Sequence, residues 1–507
     1  MRFGDKSTVF HLIIINPKLA NSLILSSRLN RPKKNKPLKT SVYFLLMCCF
    51  MLSVSLKAQQ ATTDTTLRFT DYLQWVNDFH PEAQQARLLL ENAKAAKQAA
   101  RGQFDPKPFY QFNNKKYDGK EYFSLNNAGF NIPTFYGVDL KTGFERNAGI
   151  NLNPEEETPA KGLFYSQFSI PLAQGLLMDE RRTALKQANL LGTLSVAERQ
   201  VRLNDLFLDA GKAYFDWALA RKNLTVYQNA YQVSQERFQA VRRSALLGDR
   251  PFIDTVEAGI QMQDRLVSLN QAQLDWQNKT TYLTTFLWSK GNTPVTLQSY
   301  VLPDTAFFHS LSDSAATAAL LQLDKALTGH PLLQWYSVKI NQAMVDRRMK
   351  QERLKPQINL LYNPLFDAAA PGGQFLNNYK WGIGFQMPLL LRKERGELRM
   401  ARIKVQEANL QFSQKSVEVS NKIRMAANEL INVRVQHTVF KQNLLNYEAL
   451  WRSEQRLFSA GESSLFMINS RENSYINAQI KANELLFKLN KASLAFVYAQ
   501  GQLSALR

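Results

Sequence analysis

Cysteine is almost absent from this 507-residue chain. The only two, Cys48 and Cys49, are adjacent and lie inside one apolar run. The rest of the sequence therefore has no thiol for a disulfide, a thiolate metal site or a covalent nucleophile. Histidine is nearly as scarce: beyond residue 58 only His80, His309, His330 and His437 occur, and none is spaced as a metal pair. A phosphate-binding glycine loop, a nucleophile elbow and a zinc signature are all missing. Carboxylates are plentiful enough for chance pairs, so the sequence reads as a non-enzyme, with no catalytic, cofactor-binding or metal site expected.

Long apolar runs are also missing. The longest, Ser41–Leu56, has about 16 residues, short of the roughly 20 that a spanning helix needs. Arg31, Lys33, Lys34, Lys36 and Lys39 precede it, and Ala58 and Gln59 offer small-residue cleavage. Residues 1–58 are expected to be an export signal. Forty residues ahead of the apolar run are long for a signal, so a start codon downstream of Met1 is expected. Leu46, Met47 and Cys48 before Cys49 do not make a lipoprotein context. Ten of the 63 Lys and Arg and one of the 42 Asp and Glu fall in this segment, which takes the net charge from +21 to +12. The remaining basic residues are spread along helical segments without a dense cluster, a solvated face and not a nucleic-acid footprint.

Proline is missing from two long stretches, Leu172–Arg250 and Leu389 to the C-terminus. Proline in a helix interior costs about 3 kcal/mol, so both intervals are open to very long helices. In the second, Val419, Ile423, Ala426, Leu430, Val433, His437, Phe440, Leu444, Tyr447 and Trp451 mark a 4-3 apolar seam of coiled-coil type. A helix filling most of Pro388–Gly461 is on the order of 100 Å long and cannot be buried by its own chain alone.

The chain carries one plan twice. His80-Pro81 recurs as His330-Pro331, and FDPKPFYQFN (104–113) as LKPQINLLYN (354–363). FSIPL at 168–172 recurs as FQMPL at 385–389, and QANL at 187–190 is echoed by EANL at 407–410. Gly248 in LLGDRPFIDTVEA matches Gly461 in FSAGESSLFMINSRE. The offset falls between these landmarks, so the first copy has extra residues between its two proline-marked segments. That insertion, GKEYFSLNNAGF onward, is expected to be a loop. Residues 59–290 form the first repeat, 291–326 a linker rich in Pro, Thr, Ser and Asp, and 327–507 the second repeat.

Around the repeated prolines the period changes to two. Trp381, Ile383, Phe385 and Met387 alternate with Lys380, Gly382, Gly384 and Gln386; Ile358, Leu360 and Tyr362 oppose Asn359 and Asn363. Two strands are expected from each copy. Four strands cannot close a barrel, and lipid does not tolerate an open sheet edge, so strands that span a membrane must close with other subunits.

The order short helix, strand, loop, strand, long helix, glycine turn and return helix, twice over, resembles the TolC family of outer-membrane efflux proteins. LRFTDYLQWVNDFHPEAQQARL resembles the family's amphipathic opening, with LDKALTGHPLLQ as its counterpart, and the turns at Gly248 and Gly461 are similar to its helical hairpin tips. The resemblance covers essentially all of the chain beyond residue 58. It implies a mainly α fold with a small transmembrane β part: a homotrimer whose four strands per subunit build a 12-stranded β-barrel in outer-membrane lipid, continuous with a periplasmic α-helical barrel. The linker would belt that barrel's middle. It further implies a passive gated conduit for efflux or secretion that docks with a periplasmic adaptor and an inner-membrane transporter of RND, ABC or MFS type, without nucleic acid. The alternative is the periplasmic adaptor itself, which would show one helical hairpin and no tandem duplication.

In this architecture Tyr110, Phe112, Ile358, Leu360, Tyr362, Trp381, Ile383, Phe385 and Met387 are expected on the lipid face or its aromatic girdles. The aperture is expected at the two tips, around Gly248, Asp254, Glu257, Gly461, Met467, Ser470 and Arg471. Asp254 and Glu257, three apart on a helix, share a face; repeated about a three-fold axis they make acidic rings that favour cations, or else form an ordinary solvated pair. The best-known members carry their acidic tip residues in the second copy, where this chain has Met467 and Ser470. Either the constriction is partly apolar, or Arg471 ties the closed state to a neighbour's carboxylate. The cargo has no signature in the sequence.

Overall fold

The computed structural model describes residues 66–298, 300–304, 327–369 and 377–505. The expected export signal lies outside the described residues, as do residue 299 and residues 305–326 of the linker.

The chain opens with β1 (Thr66–Leu67) and α1 (Phe69–Phe79). Phe69, Tyr72, Leu73 and Val76 recur at helical spacing and are the buried face of α1. His80 ends it in extended conformation, and α2 (Pro81–Gly102) starts at once with proline at its first position, where the missing N–H costs nothing. Four strands follow: β2 (Lys107–Tyr117), β3 (Lys120–Pro133), β4 (Asp139–Ala148) and β5 (Leu163–Pro171). Then come the 67-residue α3 (Glu180–Leu246) and its return helix α4 (Phe252–Thr284). The short pieces β6 (Trp288–Ser289), β7 (Thr293–Pro294) and β8 (Leu302–Pro303) complete this half. The second half runs α5 (Pro331–Glu352), β9 (Gln357–Asp367), β10 (Tyr379–Gln386), the 68-residue α6 (Arg392–Ser459) and α7 (Leu465–Ala499).

At about 1.5 Å per residue α3 and α6 are each about 100 Å long, as the proline-free intervals require. The seam on α6 is the packed one: Val419, Ile423, Leu430 and Val433 are buried, with Ala427 fully enclosed beside the half-buried Ala426. Farther along, Phe440 and Leu444 are half-buried, and the Trp451 ring stacks on Tyr475 of α7 at 5.1 Å.

The expectation of two strands per copy is corrected. The first half supplies four strands and the second two, all in one sheet of order β10-β9-β5-β4-β3-β2. The segment from Gly119 onward, expected to be a loop, is the hairpin β3–β4. Its alternation is hidden in the sequence because Asn126-Asn127 and Ala128-Gly129 place residues of similar character side by side. Pairing decides it: β3 bonds to β2 from Tyr117↔Lys120 to Lys107↔Asn131 and to β4 from Ser124↔Ala148 to Pro133↔Asp139. The turn before it uses Asp118 and Gly119, both at positive φ, as a two-residue hairpin demands.

Below the sheet, α1, α3, α4 and α7 enclose one core in which Tyr72, Tyr214, Trp217, Leu283, Leu287 and Phe487 are fully buried. Each polar handle has a partner. Tyr72 Oη donates to the Ala210 carbonyl (3.2 Å), Trp217 Nε1 donates to Thr280 Oγ1 (3.0 Å), and Tyr214 Oη donates to the Leu67 carbonyl (2.6 Å) while accepting from the Asp304 N–H (3.2 Å). Tyr214 thereby fastens the parallel β1–β8 pair to the centre of α3.

His80 and His330 cap α2 and α5 in the same way: Nδ1 accepts the N–H of Glu82 and of Leu332, each at 3.2 Å. Burial holds both imidazoles below their usual pKa; Glu82 opposes the shift at His80, and Lys422 adds to it at His330. A proton on Nδ1 would also remove the cap acceptor. The folded state binds fewer protons here than the unfolded chain, so this stability is present above about pH 6.5 and is lost as pH falls below it toward the depressed values. Thermal melting followed by circular dichroism should show a lower Tm at pH 5.5 than at pH 7.5. The variant His80→Asn/His330→Asn, which keeps side-chain cap acceptors without a titrating ring, should flatten that dependence.

Candidate functional site: a two-faced sheet and two helical tips

Register across the six strands sorts their side chains into two faces. Residues directly opposite each other project to the same side. Phe144 on β4 lies beside Ala128 on β3 and Phe164 on β5, and Phe164 lies beside Phe366 on β9. Phe168 lies beside Tyr362, and Tyr362 beside Trp381. Ile170, Leu360 and Ile383 form the next row, and Ile358 pairs with Phe385. On β2 and β3, Pro108 and Phe130 are opposed, with Tyr110 and Phe112 on the same side. One mainly apolar face, with Asn126, Thr142, Arg146 and Ser166 among the polar members of its middle strands, therefore crosses the sheet from edge to edge. All eight of the expected membrane-facing residues that lie within strands are on it, and Met387 follows their alternation one residue past β10. Tyr110 and Phe385 are each 69% exposed and Trp381 61%, so none of the described residues covers these side chains.

The opposite face is polar. Gln111, Asn113, Asn127, Lys141, Gln167 and Lys380 line a concavity of about 500 Å3. Tyr165 Oη donates to Asn127 Oδ1 (2.8 Å) across the Gly143 backbone, where a Cβ would meet that hydroxyl at 2.9 Å and the Ala128 carbonyl at 2.6 Å. Glycine is thus required for this close approach. The connection 149–162 folds over the same side. Asn147 Nδ2 donates to the Glu156 carbonyl (2.8 Å), the Asn147 N–H donates to Thr158 Oγ1 (2.9 Å), and Glu155, Glu156 and Glu157 join the lining. Among the described residues no helix is long and apolar enough to cross a membrane.

At the far ends of the long helices, Gly248 (φ +84°) and Gly461 (φ +80°) stop α3 and α6 with the same bonds. The Gly248 and Asp249 N–H groups donate to the Ala245 and Ser244 carbonyls; those of Gly461 and Glu462 donate to Phe458 and Leu457. This is the double bond pattern of a Schellman turn, and its left-handed residue favours glycine. Leu246 and Leu247 are each 78% exposed at the first tip, and Phe252, Ile253 and Phe466 are also bare.

The expected aperture residues do not converge on one site within the chain. Asp254 pairs with Arg250 (3.5 Å). Glu257 instead turns to α7, where its Oε1 accepts from Asn469 Nδ2 (3.2 Å). Arg471 Nε sits 4.0 Å from Glu454 of its own chain. Met467 and Ser470 are exposed, and the Met467 N–H caps on Ser464 Oγ (3.3 Å).

Sequence reasoning did not single out the polar knot that joins the two hairpins. Arg237 on α3 ion-pairs with Glu472 on α7 and donates to Asn469 Oδ1 (3.0 Å), while Arg265 on α4 reaches Asn473 Oδ1 (3.4 Å). The Arg237 and Glu472 side chains are only 11% and 5% exposed. The available signal was Asn469 and Glu472 at seam spacing with Ile476, polar residues where the helix pattern calls for apolar ones. Removing one partner of a buried pair strands the other charge and typically costs about 3–5 kcal/mol, whereas an apolar replacement of both is close to neutral. Glu472→Ala should therefore lower the melting temperature and speed hydrogen exchange in 237–265 and 465–476. Arg237→Met/Glu472→Leu should recover most of the loss, and the more exposed Arg471→Ala should change stability by no more than about 1 kcal/mol.

No family model matches the sequence, and no curated protein matches it. Solved structures do. The Campylobacter jejuni CmeC outer membrane channel superposes with a TM-score of 0.59 at 13% identity, over 85% of this chain and 85% of that one. The outer membrane protein VceC of Vibrio cholerae gives 0.58 at 15% identity, over 85% and 96%. The open state of the Neisseria gonorrhoeae MtrE outer membrane channel gives 0.59 at 13% identity, over 86% and 89%. The path of this chain, from its two-faced sheet through two long helical hairpins, is the TolC-type outer-membrane channel fold.

Proposed function

We propose that this protein is the outer-membrane channel of an efflux or secretion system, a passive conduit that breaks no bond. The observation that carries the reading is the sheet: six antiparallel strands with one mainly apolar face, largely exposed among the described residues, and one polar face. A soluble protein has no use for so large a bare apolar surface, while a membrane wall around an aqueous bore needs both faces. The fold shared with the channels of C. jejuni, V. cholerae and N. gonorrhoeae supports it.

In this reading the chain is a homotrimer in the outer membrane. It carries one plan twice, with α2 matching α5 at 22 residues each, α3 matching α6 and α4 matching α7. The long hairpins project into the periplasm as a helical barrel. Their tips close the conduit at rest and open on contact with a periplasmic adaptor and an inner-membrane transporter. The bare apolar residues at the first tip suit a protein partner better than water. Two hairpins per chain, where the adaptor reading predicts one, favour the channel.

Residues 59–507, purified in detergent and reconstituted in a planar bilayer, should run as a trimer and show a small resting conductance. A monomer that conducts nothing overturns the reading. If Arg471 helps hold the tips closed, Arg471→Ala raises the resting conductance; an unchanged value removes that side chain from the closure.

A further inference from the structure

The number of strands each chain gives to the wall fixes the width of the membrane portal, and the described residues put six strands in one sheet. Five of the six strands have 9 to 14 residues, enough for a tilted strand to cross a bilayer, which takes roughly 9–11, and β10 with 8 falls just short. The inserted hairpin β3–β4 is no appendage. Phe130 and Ile132 on β3 and Leu140 and Phe144 on β4 continue the apolar face in register between β2 and β5, with Asn126, Thr142 and Arg146 among them. Every neighbouring pair is antiparallel, so with an even count the two edge strands, β2 and β10, run in opposite directions. Each edge leaves a row of backbone N–H and C=O groups unpaired, which hydrocarbon does not allow. The edges of a second copy are the one partner that satisfies both rows with the same alternation.

The helices beneath give an independent measure of width. Next to the sheet α2 packs on α3, α3 on α5, and α5 on α6, in the order of the strands β2, β5, β9 and β10 joined to them. Four helices spaced roughly 8–10 Å apart occupy an arc of about 32–40 Å. Six strands spaced about 4.8 Å and tilted about 40° occupy about 37 Å, whereas four would occupy only about 25 Å. The arc of the four helices agrees with six strands in the wall better than with four.

Resting on the channel reading above, we propose that three copies of this chain close one barrel of eighteen strands by pairing β10 of each with β2 of the next. Diameter grows roughly in proportion to strand number, so the wall is about 1.5 times as wide as one of twelve strands. The narrow part of this portal is then its inner lining: the 149–162 connection of each copy, with Glu155, Glu156 and Glu157, lies over the polar face.

Cysteine pairs on the inner face test the closure in the full-length protein as matured in the outer membrane. Asn113→Cys on β2 is combined in turn with Lys380→Cys, Gly382→Cys and Gly384→Cys on β10, and with Tyr165→Cys and Gln167→Cys on β5. The expected result is an interchain disulfide in at least one β2–β10 combination, giving a covalent trimer on non-reducing gels, and none between β2 and β5. A spin label at Phe144→Cys should be more accessible to oxygen than to a water-soluble nickel chelate, as a lipid-facing residue is. An intrachain β2–β5 disulfide with a water-exposed label at position 144 expels the hairpin from the wall and overturns the eighteen-strand closure, while a conducting trimer still stands. A conducting dimer, closing at twelve strands, overturns it as well. Failure to insert and conduct at all overturns the channel reading with it.

Discussion

A backbone N–H or C=O inside hydrocarbon must find its partner within the protein, and in the proposed channel the architecture of this chain follows from that constraint. One copy satisfies it along five strand pairs and leaves it unsatisfied at β2 and β10. The same sheet carries a mainly apolar face, largely exposed among the described residues, and a polar face that collects Lys141, Glu145, Asn127 and Tyr165. In the proposed channel such a sheet is completed by copies of itself and by lipid.

The long helices pose the corresponding problem in water. A rod of about 100 Å exposes more seam than one chain can bury. Midway along α6 its seam is enclosed, at Ile423 and Ala427 completely. Toward the tips Val435 and Val439 stand open and Phe440 and Leu444 are half-buried, a surface suited to neighbouring helices. At about the same distance along α3 the aromatic core around Tyr214 and Trp217 holds α1, α3, α4 and β8 together. The histidine-proline entries to α2 and α5 set the direction in which each helix runs up to its strand.

Where the hairpins meet near the tips, apolar packing gives way to charge. Val241, Ala258, Leu465 and Ile468 form a small cluster, and beside it Arg237, Glu257, Asn469 and Glu472 form a connected polar knot. A buried knot of this kind adds less net stability than apolar side chains of the same volume, but it fixes one relative placement of two hairpins. That is a useful property where a conduit has a closed and an open arrangement.

Long helices, paired glycine turns and the order of landmarks were legible from sequence alone, because proline exclusion, 4-3 spacing and the αL demand at Gly248 and Gly461 act over a few residues. The eight strand residues expected on one face are also there, since period-two alternation is itself local. The hairpin β3–β4 was not legible. Asn126-Asn127 and Ala128-Gly129 blur its alternation, and its strand character comes from hydrogen bonds to β2 and β5, up to some 40 residues away in sequence for Tyr165 and Asn127. Nor were the partners of Glu257 and Arg237 legible: each lies more than 200 residues from the side chain that holds it. Sequence by itself determined which segments are rods, turns and two-faced strands. Tertiary structure alone decided how many strands share one wall and which charges are tied together, because pairing between distant segments depends on where the whole chain brings them.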